Sequence, residues 1–155
     1  MSELTNESLQ ELVQGFKNGT WPGSNWKHAH HLMLAACYIL DHEDALQRLR
    51  ANIPLYNLSQ GGQNTPDSGY HETLTVFWYE IVRDFIQALP AGLPRVEIVR
   101  LVVDEFAPQR DLFRRYYDFD VVKSREARAV WIPPSRAVPD TVPPQPEPAK
   151  STAPA

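Results

Sequence analysis

Apolar side chains recur every three or four residues along most of the chain, and this spacing constrains the fold more than any other feature. Residues three or four apart share one face of an α-helix, so each such run predicts a helix with one apolar face. No stretch shows the strict alternation of apolar and polar residues that a half-buried strand requires. The sequence therefore predicts an all-α fold, a bundle of four to five main helices.

Capping and breaking residues divide the first half of the chain into three predicted helices. Asn18 and Gly19 are typical of a helix end, and Ser24 is predicted to cap a second helix that reaches Ile39. A third helix is predicted to end at Pro54, because proline lacks the amide proton of a helical hydrogen bond and restricts the residue before it.

A loop rich in Gly, Asn, Ser and Gln separates these helices from the second half of the chain. Thr65 and Pro66 are predicted to cap and open a fourth helix, which carries His71 on its apolar face. Residues 94–106 predict a fifth helix, and residues 125–131 predict a short last helix capped by Ser124.

Residues 133–155 hold eight of the fourteen prolines and almost no large apolar side chain. Proline removes a backbone donor, and a segment without apolar side chains cannot offset the entropy lost on ordering. We therefore expect a disordered proline-rich tail at 133–155, after a single helical domain at 1–132.

Charge and composition exclude several classes of partner. The net charge is −4 and no basic stripe is present, which argues against nucleic-acid binding. No signal-peptide pattern and no apolar run of bilayer length occurs, so we expect a cytoplasmic protein without a membrane partner. The single cysteine, Cys37, lies in an apolar run and predicts a buried thiol. The oligomeric state is not determined by these features.

Four of the five histidines occur at two places, both near predicted helix starts. His28 and His31 are three residues apart and share a helix face, and His71 shares a face with Leu74 and Trp78. Because both faces should pack in the core, we expect these three rings to meet at one end of the bundle. Their nitrogens would then lie within about 3–5 Å of one another, the separation set by a shared ion. His30 and His42 should point elsewhere.

Three histidine ligands with one open position are common in catalytic zinc sites, and the same set suits iron, copper or nickel. Glu72 lies about 100° around the helix from His71, where it could act as a base or as a fourth ligand. A single histidine on an apolar helix face, however, is more often a satisfied core or capping residue than a ligand. The structural interpretation of these histidines therefore stays open.

Two segments resemble a family of small bacterial helical proteins of uncharacterised activity. They are WKHAHHL at 26–32 and GYHETLT at 69–75. The tyrosine pair at 116–117 and the string SREARAVWIPP at 124–134 are also similar to that family, although Asp118 stands where the family has serine. The resemblance covers most of residues 20–134. It implies a shared helical fold and a shared site that includes His28, His31, His71 and Glu72.

The leading hypothesis is a small metalloprotein that acts as a metal-dependent hydrolase or oxygenase, with a divalent transition metal (Zn, Fe, Cu or Ni) on His28, His31 and His71. Glu72 or a metal-bound water would then move protons, and the substrate would be a small molecule. A second hypothesis is a binding or interaction module in which the histidines are structural and the proline-rich tail recruits a partner. A third is a metal-free enzyme that uses His71 and Glu72 as an acid/base pair.

Overall fold

The computed structural model describes residues 4–135 and confirms the all-α fold, with no strand in that range. Its six helices are α1 (Asn6–Asn18), α2 (His28–Asp41), α3 (Ala45–Ser59), α4 (Glu72–Gln87), α5 (Arg95–Phe106) and α6 (Arg125–Ala129). Single 3-10 turns occupy Gly23–Asn25, Ala107–Gln109 and Leu112–Arg115.

Helix α2 is the central element of the bundle, because it contacts α1, α3, α4 and α5. Its middle turns are almost inaccessible to solvent, and Ala36 and Cys37 have no exposed surface. The burial predicted for the Cys37 thiol is confirmed. This packing buries residues 34–38 in the middle of α2 and leaves its first turn, with the histidines, more accessible.

Several predicted helix ends are confirmed. Gly19 follows α1 in the left-handed conformation, with φ of 76°, which glycine adopts without steric cost. The Ser124 side chain accepts a hydrogen bond from the Ala127 amide and so caps α6. That helix ends at Ala129, two residues before the predicted end.

The predicted end of α3 at Pro54 is wrong, because the helix continues to Ser59 with Pro54 inside it. The proline costs one backbone hydrogen bond, but the turn that follows buries Tyr56. The Tyr56 ring packs against Phe16 and Trp26, at centroid distances of 5.2 and 5.0 Å. Tertiary packing of this aromatic cluster therefore outweighs the local preference of proline.

The predicted starts of α2 and α4 are also displaced towards the histidines. Ser24 lies in a 3-10 turn, and α2 begins at His28. Thr65 and Ser68 close a tight turn through reciprocal backbone hydrogen bonds, so α4 begins only at Glu72. His28 and His71 thus lie at helix N-termini, one as the first residue and the other as the cap.

The segment after α6 packs back on α4. The Thr73 hydroxyl donates to the Val130 carbonyl at 2.7 Å and accepts from the Ile132 amide at 3.0 Å. Tyr117 donates its hydroxyl to the Ile132 carbonyl at 2.7 Å. Of the predicted proline-rich tail only residues 133–135 are described, and the remainder lies outside the described range. None of the helices within 4–135 has the length and apolarity of a membrane span.

Candidate functional site

A cavity of about 1070 Å³ lies between the first half of α2, the face of α3 that packs towards it and the first half of α4. Its apolar wall is mostly aromatic and consists of Phe16, Trp26, Tyr56, Trp78, Tyr79 and Phe113, with Leu34, Leu49, Ile53 and Leu74. Its polar wall includes Lys27, His28, His31, Asn57, Gln60, Tyr70, His71, Thr75 and Arg110. A mostly apolar cavity of this size with a few polar groups is typical of a small-molecule site.

The three histidines singled out by the sequence all line this one cavity. His30 and His42, which were expected to point elsewhere, are not among its lining residues. His30 instead accepts the Lys27 amide proton on Nδ1, at 2.9 Å. His42 is the cap at the end of α2, where its ring contacts Tyr38.

His28 is held by the backbone that ends α5. Its Nε2 lies 3.2 Å from the Phe106 carbonyl oxygen, and because a carbonyl can only accept, the proton belongs to Nε2. The ring also packs edge-on against Trp78, with centroids 4.8 Å apart. Burial is the main cause that lowers the pKa of His28, so the ring is neutral and Nδ1 is the nitrogen left without a hydrogen bond.

His71 is engaged at both nitrogens. Nδ1 accepts the Leu74 amide proton at 3.2 Å and caps α4, while Nε2 donates to the Val121 carbonyl at 2.9 Å. Only 8% of the residue surface is exposed, and burial lowers the pKa of the ring. His71 therefore joins the start of α4 to the segment before α6, and neither nitrogen is free for a ligand.

His31 differs from both, because hydrogen bonds within residues 4–135 engage the rings of His28, His30 and His71 but not that of His31. His31 is exposed and lines the cavity, and the Trp26 ring lies against it at 5.4 Å and 85°. Desolvation of the ring by the protein groups around it lowers the pKa of His31 to about 4, with smaller effects from His28 and His30. A neutral imidazole, with one donor and one acceptor, therefore faces the cavity at neutral pH.

The expected close approach of the three rings is not observed. Within the described part of the chain, no group of three or more His, Cys, Asp or Glu side chains is close enough to hold a metal ion. Two of the rings are engaged by backbone carbonyls on different segments, His28 by Phe106 and His71 by Val121. The three histidines therefore line one cavity, although in the described residues they do not form a group that could hold a metal ion.

The Glu72 carboxylate bonds to two neighbouring side chains and does not line the cavity. One carboxylate oxygen accepts the Tyr70 hydroxyl proton at 2.7 Å, and the other pairs with the Arg50 guanidinium at 2.6–2.7 Å. Burial and the hydrogen bond to Glu72 raise the pKa of Tyr70. The predicted base therefore holds Tyr70 in the cavity wall and joins α3 to α4.

The loop between α3 and α4 forms one side of the cavity, where Gly62, Gly69 and Tyr70 face inward. The Asn64 side chain ties the loop to α3 and to its own end, because it donates to the Pro54 carbonyl and accepts the Tyr70 amide proton, both at 3.0 Å. Arg128 then donates to the Gly69 carbonyl at 2.8 Å. The loop is therefore an ordered wall rather than a free lid.

Sequence reasoning missed Tyr56, Asn57, Tyr70 and Arg110 as cavity residues. Tyr70 could have been found, because it precedes His71 in the distinctive GYHETLT string. Arg110 lies outside every predicted helix, and no local pattern indicates that it faces α2. The comparisons add no further assignment: searches of protein-family models, curated proteins and solved structures found no match.

Proposed function

We propose that this protein binds a small organic molecule in the cavity between α2, α3 and α4. The observation that supports this most is the aromatic wall that holds the His31 ring and the Trp26 indole, whose Nε1–H is buried and has no hydrogen-bond partner within residues 4–135. A polar group beside a cavity normally finds a protein or ligand partner, since leaving it unpaired costs about 1–3 kcal/mol when it is buried. A ligand with a hydrogen-bonding group would provide that partner.

The chemistry of His31 favours binding over proton transfer. A general base works best when its pKa lies near the working pH, whereas desolvation lowers the pKa of His31 to about 4. The alternative pair, His71 and Glu72, is engaged in hydrogen bonds to Val121, Leu74, Tyr70 and Arg50. We therefore assign His31 the role of orienting the ligand, and Trp26 and Trp78 the role of supplying apolar contact.

The test uses phenylnaphthylamine, a neutral fluorescent probe with aromatic rings and one N–H donor. We expect saturable binding to one site, with a shift of the His31 ring nitrogen resonances in protein carrying isotope-labelled histidine. The His42 resonances are the internal control and should not move, because His42 lies outside the cavity wall. Binding that is not saturable, or that moves His42 and leaves His31 unchanged, would contradict the proposal.

A metal-binding function is a second candidate, supported by one feature. Both His28 and His71 donate Nε2–H to a backbone carbonyl, the arrangement that commonly orients histidine ligands. The ion would then use Nδ1, and His71 would have to release the Leu74 amide that it now caps. This requirement places the metal hypothesis second.

Equilibrium dialysis of the tag-free protein against Zn, Fe, Cu and Ni salts tests this candidate. Stoichiometric binding should be lost in His28→Ala, His31→Ala and His71→Ala and kept in His30→Ala. Affinity should also fall steeply between about pH 7 and 5, because each ligand must lose its proton. A flat pH profile, or binding that survives all three substitutions, refutes a three-histidine site.

A further inference from the structure

We infer that the molecule taken up by this cavity is an organic anion, with its acidic group seated by Lys27 and Arg110. The inference rests on the proposed function, because it names the chemical class of that ligand. Within residues 4–135, Lys27 and Arg110 are the charged side chains of the cavity wall, and both are cations. No Asp or Glu in that range lines the cavity.

Neither cation is neutralised by an ion pair in the described part of the chain. The salt bridges there engage other arginines, such as Arg50 with Glu72 and Arg125 with Asp67. Lys27 and Arg110 are both exposed residues whose charged ends are available to a bound molecule. An anion would therefore find two cations that need no displacement of a protein carboxylate.

The nearest acidic groups are directed elsewhere. Glu72 is held by Arg50 and Tyr70, as described above. Asp111 follows Arg110 and acts weakly on His28, but it lies outside the wall and within 3.7 Å of Arg114. Within residues 4–135, neither of these carboxylates forms an ion pair with Lys27 or Arg110.

The start of α2 adds positive potential to the same region. Lys27 is the cap residue of this fourteen-residue helix, and its first turn carries no acidic side chain. The first amides of a helix lack carbonyl partners and carry partial positive charge. The two cations also act on neighbouring histidines. Burial is the largest cause that lowers the pKa values of His28 and His30, and the charge of Arg110 lowers the first further while that of Lys27 lowers the second.

Anilinonaphthalene sulfonate and phenylnaphthylamine form a suitable pair of probes, because they share an aromatic skeleton and differ by one sulfonate. We expect the sulfonate to bind about tenfold more tightly at low ionic strength, and this advantage to shrink as salt screens the charges. Lys27→Gln and Arg110→Gln should each weaken sulfonate binding by about three- to fivefold, and they should weaken binding of the neutral probe less than that of the sulfonate. Lys17→Gln is the control, since Lys17 is exposed on α1 and lies outside this cavity.

The two probes separate failure of this inference from failure of the proposed function. Equal affinity for both probes, or a Lys17→Gln effect as large as that of Lys27→Gln, overturns the anion assignment while the cavity function stands. Absence of saturable binding by either probe overturns the proposed function itself. Sulfonate preference that depends on both cations supports the inference.

Discussion

Replacing Thr73 with valine tests how the end of the folded domain is held. Thr73 has no exposed surface, and its hydroxyl donates to the Val130 carbonyl and accepts from the Ile132 amide. Valine has nearly the same shape and the same branching at Cβ, so α4 should keep its conformation. The substitution therefore removes two hydrogen bonds with little change in packing volume.

The cost follows from the two backbone groups that lose their partner. A typical hydrogen bond contributes about 0.5–1.5 kcal/mol, and a group left unpaired away from water costs about 1–3 kcal/mol. Val130 is half exposed, so water can reach its carbonyl, whereas the Ile132 amide is more enclosed. We therefore expect Thr73→Val to lower the free energy of unfolding by about 2 kcal/mol, which for a domain of this size lowers Tm by roughly 6–8 °C.

Urea denaturation followed by circular dichroism measures this loss, and Thr75→Val is the matched control. The Thr75 hydroxyl donates to the His71 carbonyl four residues earlier, and that carbonyl also accepts the Thr75 amide proton. The control should therefore cost less than about 0.5 kcal/mol. Equal losses for the two variants would show that Thr73 does not hold the 130–132 segment.

Three further predictions concern His31, the loop before α4 and the ion pair of Glu72. The pKa of His31 is about 4 in the folded chain and about 6.5 in the unfolded chain, so the unfolded state takes up the proton first as the pH falls. The free energy of unfolding should therefore decrease as the pH falls from about 6.5 to 4. This decrease should be less steep in His31→Gln. Urea midpoints over this range check it, and identical slopes would contradict the lowered pKa of His31. Gly69→Ala should destabilise the loop far more than Gly61→Ala, because both glycines have positive φ but only a Cβ at Gly69 would overlap the Gln63 carbonyl oxygen. Thermal denaturation compares the two variants. Equal losses of Tm would show that the loss comes from the positive φ alone and not from overlap with the Gln63 carbonyl. Glu72→Gln should lower the free energy of unfolding by about 1 kcal/mol, since it keeps an acceptor for Tyr70 and loses the charge that pairs with Arg50. Asp44→Asn is the control, because Asp44 belongs to an exposed pair with Arg48, and it should show no measurable change in denaturation midpoint.

Helix content and several helix ends could be predicted from the sequence because they depend on contacts between neighbours in the chain. The spacing of Leu9, Leu12 and Phe16 marks a helix face, and Gly19 relieves the steric cost of a left-handed end. The fourth helix shows the limit of such reasoning. Local signals predict a cap at Thr65 and a first turn at Pro66, whereas the Thr65–Ser68 turn and the cap at His71 move the start to Glu72.

The chemistry of the candidate site depended on partners far away in the sequence. Periodicity placed His28, His31 and His71 on faces that meet at one cavity. It could not show that His71 bonds to Val121, fifty residues later, or that His28 bonds to the carbonyl of Phe106, seventy-eight residues later.

The sequence by itself thus determined which helices form and which histidines lie near their starts, because helix propensity, capping and apolar spacing are local properties. Only the tertiary structure decided which of these rings is engaged by backbone and which is free, because a hydrogen bond requires two groups to meet within about 3 Å and at a suitable angle. That meeting is set by how α2, α4 and α5 pack against one another. Packing therefore left His31 facing the cavity and used His28 and His71 to hold its walls.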